Sequence, residues 1–255
     1  MSLKSLLKRC IPWKLREQRY VFRRARNELC YHLRPPPMKS FSDYDDYWEK
    51  RGMLEQVFRR WEITAELIED GASLLDVGCG TGEFFDYLRK VKPRVRCKGL
   101  DFSDRAVEML RARGFEVEKG DIAVDPIVGQ YDYVTCFEVL EHIPDAEAAL
   151  RHLQPAFRKH LIISVPNVGC WLCVFRLVFV RRFPLTNCQL HIKEHVRHWT
   201  VKDFREWIAF CGMKVVRVEG QYGFAYTPWK KWPSLFATGV LYVIEHDQDV
   251  HGPSR

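Results

Sequence analysis

Three glycines at alternate positions, Gly78, Gly80 and Gly82, follow the short apolar run 73–77 and precede Phe84, Phe85 and Leu88 at helical spacing. At a strand-to-helix turn, glycines let the backbone take φ > 0. They also let a ligand approach main-chain amides with no Cβ in the way. Asp76 stands just before the turn and Cys79 inside it, and Asp101 lies 19 residues past Gly82 at the end of the next apolar segment. A carboxylate there can accept both hydroxyls of a ribose. Amides of the turn and the helix start behind it suit a ligand carboxylate, while Asp76 suits an ammonium. Further on, Phe137 and Glu138 are followed at close spacing by Glu141 and His142, and His195 and His198 come later. An imidazole among acids can move a proton. The trio Glu138, Glu141 and His142 also has the character of a divalent-metal site.

These residues need elements to hold them. Short apolar runs alternate with helical patterns, the sign of a parallel sheet. Strands are expected at 73–77, 95–100, 115–118, 131–137, 161–165, 213–218 and 239–244, and helices at 53–69, 103–113, from 145 and at 201–211. The reading is an α/β fold with a Rossmann-like seven-stranded sheet. Helices cover both faces. Asp101 and Asp121 then fall at the ends of the second and third strands, with Phe102 and Ile122 beside them, and Phe137 closes the fourth.

The spacing G-x-G-x-G with Asp76 ahead of it resembles motif I of the class I S-adenosylmethionine (SAM) methyltransferases. The run Tyr131-Asp-Tyr-Val-Thr-Cys-Phe-Glu-Val-Leu-Glu-His-Ile-Pro-Asp145 resembles motif IV of their ubiquinone-type, small-molecule branch, and the likeness covers about 41–244. It implies SAM as methyl donor and a class I methyltransferase sheet in which six strands run parallel and 239–244 is the one antiparallel strand. Phe102 would then pack on adenine, Asp121 and Ile122 would contact its amino edge, and Phe137 and Glu138 would line the methionine end. His142 is the first candidate for the base that an oxygen acceptor requires, and His195 the next, with His198. Some relatives hold a divalent cation on a similar E-x-x-E-H, whereas many use none. A nicotinamide dehydrogenase would carry G-x-G-x-x-G and nothing like E-V-L-E-H. Enzymes that methylate amino groups of DNA or protein usually carry an N/D-P-P-Y-like run where this chain has Phe-Glu-Val-Leu. A small or lipid-like acceptor, methylated at oxygen, is therefore expected; the alternatives are RNA 2′-O-methylation and a SAM-binding subunit without turnover.

Composition sets the surroundings. Of the net +7, residues 1–34 carry +8 (ten Lys or Arg against Glu17 and Glu28), so the rest of the chain is near neutral and nucleic acid is not an expected partner. The arm, 1–37, reads as two amphipathic pieces broken by Pro12 and closed by Pro35–Pro37, suited to an anionic membrane surface or to packing on the domain. A mitochondrial presequence fits the arginines, but serine is sparse. The aromatic stretch 41–52 suits a segment closing over ligand or a plain clasp. The body spans 38–245 and 246–255 reads as a flexible tail. Within the body, 168–199 is an insertion whose apolar part, 170–183, suits a lid over a hydrophobic acceptor, a membrane wedge, or a helix packed on the core. Cys170-x-x-Cys173 with Cys188, His191, His195 and His198 permits a zinc reading, which Trp171 and Leu172 inside the pair oppose. Nine irregularly spaced cysteines and no apolar run of spanning length lead to an expectation of cytoplasmic location, peripheral on the inner membrane face.

Overall fold

The computed structural model describes residues 42–53, 56–181, 183, 195–223 and 228–247. The arm, Cys188 and His191 lie outside them. At the centre of the sheet, β1 (Ser73–Val77) pairs in parallel with β2 (Arg96–Asp101) on one side and β4 (Tyr131–Phe137) on the other. Flanked on both sides, it is buried from Leu74 to Val77, which is why it reads as a continuous apolar run. Adding β3 (Glu116–Lys119), β5 (Phe157–Pro166), β6 (Met213–Gly223) and β7 (Ala237–His246) gives the order β3-β2-β1-β4-β5-β7-β6. Strand β7 is antiparallel to both β5 and β6, so six strands point one way and one is reversed, as the sequence led us to expect.

Alternate side chains feed opposite faces of the sheet. Leu74, Tyr133, Ile162 and Val243 meet Trp61 of α2 (Arg59–Leu67) and Phe84 and Leu88 of α3 (Glu83–Val91). Leu75, Val134, Ile163 and Ile244 meet Leu150 of α5 (Ala146–Leu153) and Phe204 and Ile208 of α7 (Val201–Phe210). Beside β3, α4 (Asp104–Ala112) contributes Val107 and Leu110 to a smaller cluster. Caps fix the starts: Ser103 accepts from Ala106 N, Asp145 from Ala148 N, and Thr200 and Asp203 form a capping box, each worth about 1 kcal/mol.

Three boundaries differ from expectation. The helix placed at 53–69 begins only at Arg59, because a separate helix, α1 (Tyr44–Arg51), ends ahead of it at Gly52 with φ 62°. The helix of the insertion is α6 (Trp171–Phe175), continued by a π-helical stretch, Arg176–Val180. Glu245 and His246 belong to β7 rather than to a frayed end, and the His246 ring stacks on Phe157 at 4.1 Å. Among the described residues, no helix is long and apolar enough to cross a membrane.

Candidate active site

All the singled-out groups lie at the carboxyl ends of the parallel strands, the edge where open α/β sheets bind ligands. Gly78, Gly80 and Gly82 each have positive φ, at 69°, 53° and 76°. The turn also has no room for side chains, since a Cβ on Gly80 would lie 2.3 Å from Trp48 Cη2 and one on Gly78 2.3 Å from Val139 Cγ2. Cys79 is buried. Its amide and that of Gly78 donate to Leu100 O, which ties the turn to the end of β2.

Asp101 is buried and spoken for on both oxygens: Gly80 N donates to Oδ2 at 2.8 Å and Ser103 N to Oδ1 at 3.0 Å. Burial pushes its carboxyl above the usual range, opposed by those backbone donors. Each oxygen keeps a second lone pair for a ribose hydroxyl. Phe102, beside it, is half exposed, its ring edge-on to Tyr44 at 5.0 Å. Asp121 is used locally, with Oδ1 accepting from Ala123 N at 2.9 Å, and Ile122 is buried with its carbonyl accepting from the His152 ring at 2.8 Å. Asp76 lies 3% exposed under the turn and accepts from Thr135 Oγ1 at 2.6 Å. Burial lifts its pKa to about 7, so this carboxylate is short of a positive partner.

A cation whose charge acts on Asp76 is one that sequence reasoning missed. Arg60, on α2, lowers the Asp76 pKa by its charge, donates to Gln221 Oε1 at 3.3 Å and lies 5.9 Å from the Phe137 ring. Gln221 in turn reaches Glu138 Oε1 at 3.4 Å, Ser164 Oγ donates to the same oxygen at 2.8 Å, and Tyr222 OH donates to Oε2 at 3.3 Å. Glu138 adopts φ 55°, one of two described non-glycine residues with positive φ, a conformation costing on the order of 1 kcal/mol and held by such a network. Nothing in the local sequence connects Arg60 to residues 78 and 161 positions away; their meeting is a product of the sheet order.

This network removes Glu138 from the metal trio read in the sequence. The cluster that forms is Glu141, His142 and His195, whose ligand atoms lie within 4.8 Å of one another. His195 arrives because its segment hangs on Glu141: Val196 N and Arg197 N both donate to Glu141 O, at 2.8 and 3.1 Å. The Arg197 guanidinium fastens the other side, to Pro144 O at 2.9 Å and Glu147 Oε2 at 3.1 Å. The His142 and His195 rings are 4.8 Å apart, and Tyr44 stands edge-on to His142 at 6.1 Å. Burial, then the charges of His142 and His198, pull the His195 pKa down to about 3. It is therefore neutral at physiological pH and a poor proton acceptor. A buried carboxylate with two imidazoles is a donor set that fits a divalent cation.

Cys170 and Cys173 are buried with their sulfurs 3.1 Å apart. Among the described residues they join no metal-ligand group with His195 or His198, and His198 packs instead against Phe183 at 4.8 Å. The aromatic stretch before β1 packs on the glycine turn. Besides Trp48 on Gly80, Arg51 Nη1 donates to Glu83 Oε1 at 3.0 Å, and Asp45 accepts from Ser103 Oγ at 2.5 Å and Arg105 N at 3.1 Å. One short helix thus spans both the glycine turn and the start of α4.

The family model described as a methyltransferase domain matches residues 47–218. A ubiquinone biosynthesis O-methyltransferase of Xanthomonas axonopodis pv. citri is 27% identical over 195 residues, covering 71% of this chain and 78% of its own. Among solved structures, a Synechocystis magnesium protoporphyrin IX methyltransferase with bound SAH superposes with TM-score 0.54 at 18% identity, over 88% of this chain and 93% of that one. A mitomycin 7-O-methyltransferase gives TM-score 0.56 at 18% identity, over 88% of this chain and 67% of its own. These last two speak to the fold alone.

Proposed function

The chain belongs to the methyltransferase-domain family and is a SAM-dependent methyltransferase, and we propose that it methylates a small or lipid-like acceptor at oxygen. The observation that carries this reading is the cluster of Glu141, His142 and His195 at the end of β4, beside Phe137. A hydroxyl is a weak nucleophile until its proton is taken, and the cluster supplies a proton acceptor where the methyl group emerges.

In this reading SAM lies across the carboxyl edge. Asp101 takes the ribose hydroxyls, Phe102 flanks adenine, and Asp121 and Ile122 bound its far side. The start of α3 faces the methionine carboxylate, while the amides of Cys79, Gly80 and Gly82 hold the turn in shape by donating to Leu100 O, Asp101 Oδ2 and Cys79 O. Arg60 adds a cation at the Phe137 side, and Asp76 balances the ammonium. His142 removes the acceptor proton as the oxygen attacks the methyl carbon. The S–C bond breaks, leaving a methyl ether and S-adenosylhomocysteine. His195, neutral, orients His142. Fixing the two reactants in line lowers the barrier by roughly 7–11 kcal/mol, and the base supplies a further factor of about 10²–10⁴.

A second reading is favoured by the donor set itself. A divalent cation on Glu141, His142 and His195 would lower the pKa of an acceptor hydroxyl, with the same residues acting as its ligands. The RNA alternative rests on the arm, which lies outside the described residues. The test is transfer of labelled methyl from SAM across phenolic, catecholic, lipid-phenol and amine acceptors and RNA. Transfer to hydroxyl acceptors is expected; transfer confined to amines or RNA would overturn the reading. SAM binding with no turnover on any of them would point to the non-catalytic subunit.

A further inference from the structure

The insertion helix is inside out. Between Gly169 and Arg181 the only charged residue is Arg176, and it is the one turned inward, 1% exposed, together with Leu172 and Cys173. The outward side carries Val174, Leu177, Val178 and Phe179, with Phe179 73% exposed. A helix packed on a core does the reverse. The helix α8 (Pro233–Phe236) packs beside α6 and adds Trp232 and Leu235, 58% and 48% exposed. One buried amide holds the two pieces together: Asn167 Nδ2 donates to Ser234 O at 3.0 Å and Ala237 O at 2.8 Å, while Asn167 O receives Cys173 Sγ. The apolar surface is thus built from the segment that follows β5 and the segment that precedes β7.

Its surroundings are basic. Arg181, Lys230 and Lys231 are exposed around it, and no Asp or Glu occurs between Glu147 and Glu194 or between Glu219 and Glu245. Aromatic and branched residues rimmed by Lys and Arg match the interfacial zone of an anionic bilayer, where apolar groups enter the acyl boundary and cations meet headgroups. A second copy fits poorly, because an isologous contact would set one basic rim against another with no acid to pair.

We propose that this face docks on an anionic lipid surface and presents the methyl-transfer cleft to it. Both pieces sit at the carboxyl edge of the sheet. Val168 N, three residues before α6, donates to Trp199 O at 3.1 Å, so the face is joined to the segment bearing His195. An acceptor dissolved in the bilayer would enter the cleft without crossing water. The direction of presentation rests on the methyltransferase reading of the cleft; the docking does not.

The test uses the full chain with vesicles of phosphatidylcholine alone or in equal parts with phosphatidylglycerol. Co-sedimentation with the anionic vesicles only is expected, falling as salt rises. Leu177→Asp/Phe179→Asp should lower the partition about tenfold or more, and Lys230→Glu/Lys231→Glu should abolish the preference for phosphatidylglycerol. Calorimetry with SAM serves as the folding control; if the aspartate pair fails it, Trp232→Ala and the lysine pair decide the matter. Full pelleting by the aspartate variant would assign binding to the arm and overturn the proposal. So would an absence of wild-type pelleting, or light scattering that shows a dimer dissolved by the same substitutions. Loss of SAM binding by wild type with vesicle binding retained would sink the methyltransferase reading and leave the docking standing.

Discussion

The indole of Trp48 lies directly on Gly80, so close that a Cβ on that glycine would fall 2.3 Å from Cη2. Helix α1 is therefore seated on the cofactor turn itself. Gly80→Ala should destabilise by about 1–3 kcal/mol, from overpacking and from φ at 53°, and should weaken SAM binding. Part of that loss should disappear in a Trp48→Ala background, which leaves the backbone strain and removes the collision. Urea titrations of the four proteins in the cycle check this; strictly additive changes would mean that the ring and the turn do not interact.

Asp101 is oriented by two backbone donors before any ligand arrives. Asp101→Ala should weaken SAM and S-adenosylhomocysteine alike, since both carry the ribose. Charged hydrogen bonds of about 1.5–3 kcal/mol each put the loss at tenfold or more per hydroxyl in calorimetry. Unchanged affinity would remove the ribose assignment.

Asp76 should make stability, and SAM binding with it, pH-dependent. Its folded pKa stands at about 7 because of burial, against about 3.9 in an unfolded chain. Between those values the folded protein holds a proton that the unfolded chain lacks. The stabilisation this provides is complete below about pH 4 and is lost as pH rises through about 7. Asp76→Asn should flatten that fall in thermal unfolding. If the ionised carboxylate balances the SAM ammonium, affinity should rise with pH up to about 7. Below that, binding should release a proton, seen as a buffer-dependent calorimetric heat. Equal heats in buffers of different ionisation enthalpy would exclude the pairing.

His142→Gln should lower turnover by about 10²–10⁴ while SAM affinity holds. Removing divalent cations with a chelator separates the two readings of the cluster. Undiminished turnover after chelation supports the base, whereas loss restored by added magnesium assigns Glu141, His142 and His195 as ligands. Under either reading His195→Ala should slow turnover more than it changes SAM affinity.

The sequence by itself determined everything that depends on a few neighbouring residues. Glycine spacing announced the positive-φ turn and apolar runs of strand length announced seven strands, while the family likeness of the motifs implied that six run parallel and one is reversed. Acids at strand ends announced where a ribose could be held, because strand, turn and cap chemistry is local and leaves a periodic or positional mark. Tertiary structure decided which distant groups share a site. It took Glu138 from the metal trio by giving it Ser164, Gln221 and Tyr222. It brought His195 in by hanging its segment on Glu141 O, placed Arg60 beside Phe137, and turned Arg176 inward while its apolar neighbours faced out. These contacts join residues dozens of positions apart, and their geometry follows from strand order and packing. A side chain's sequence neighbours record its type and period, but not which strand will lie beside it.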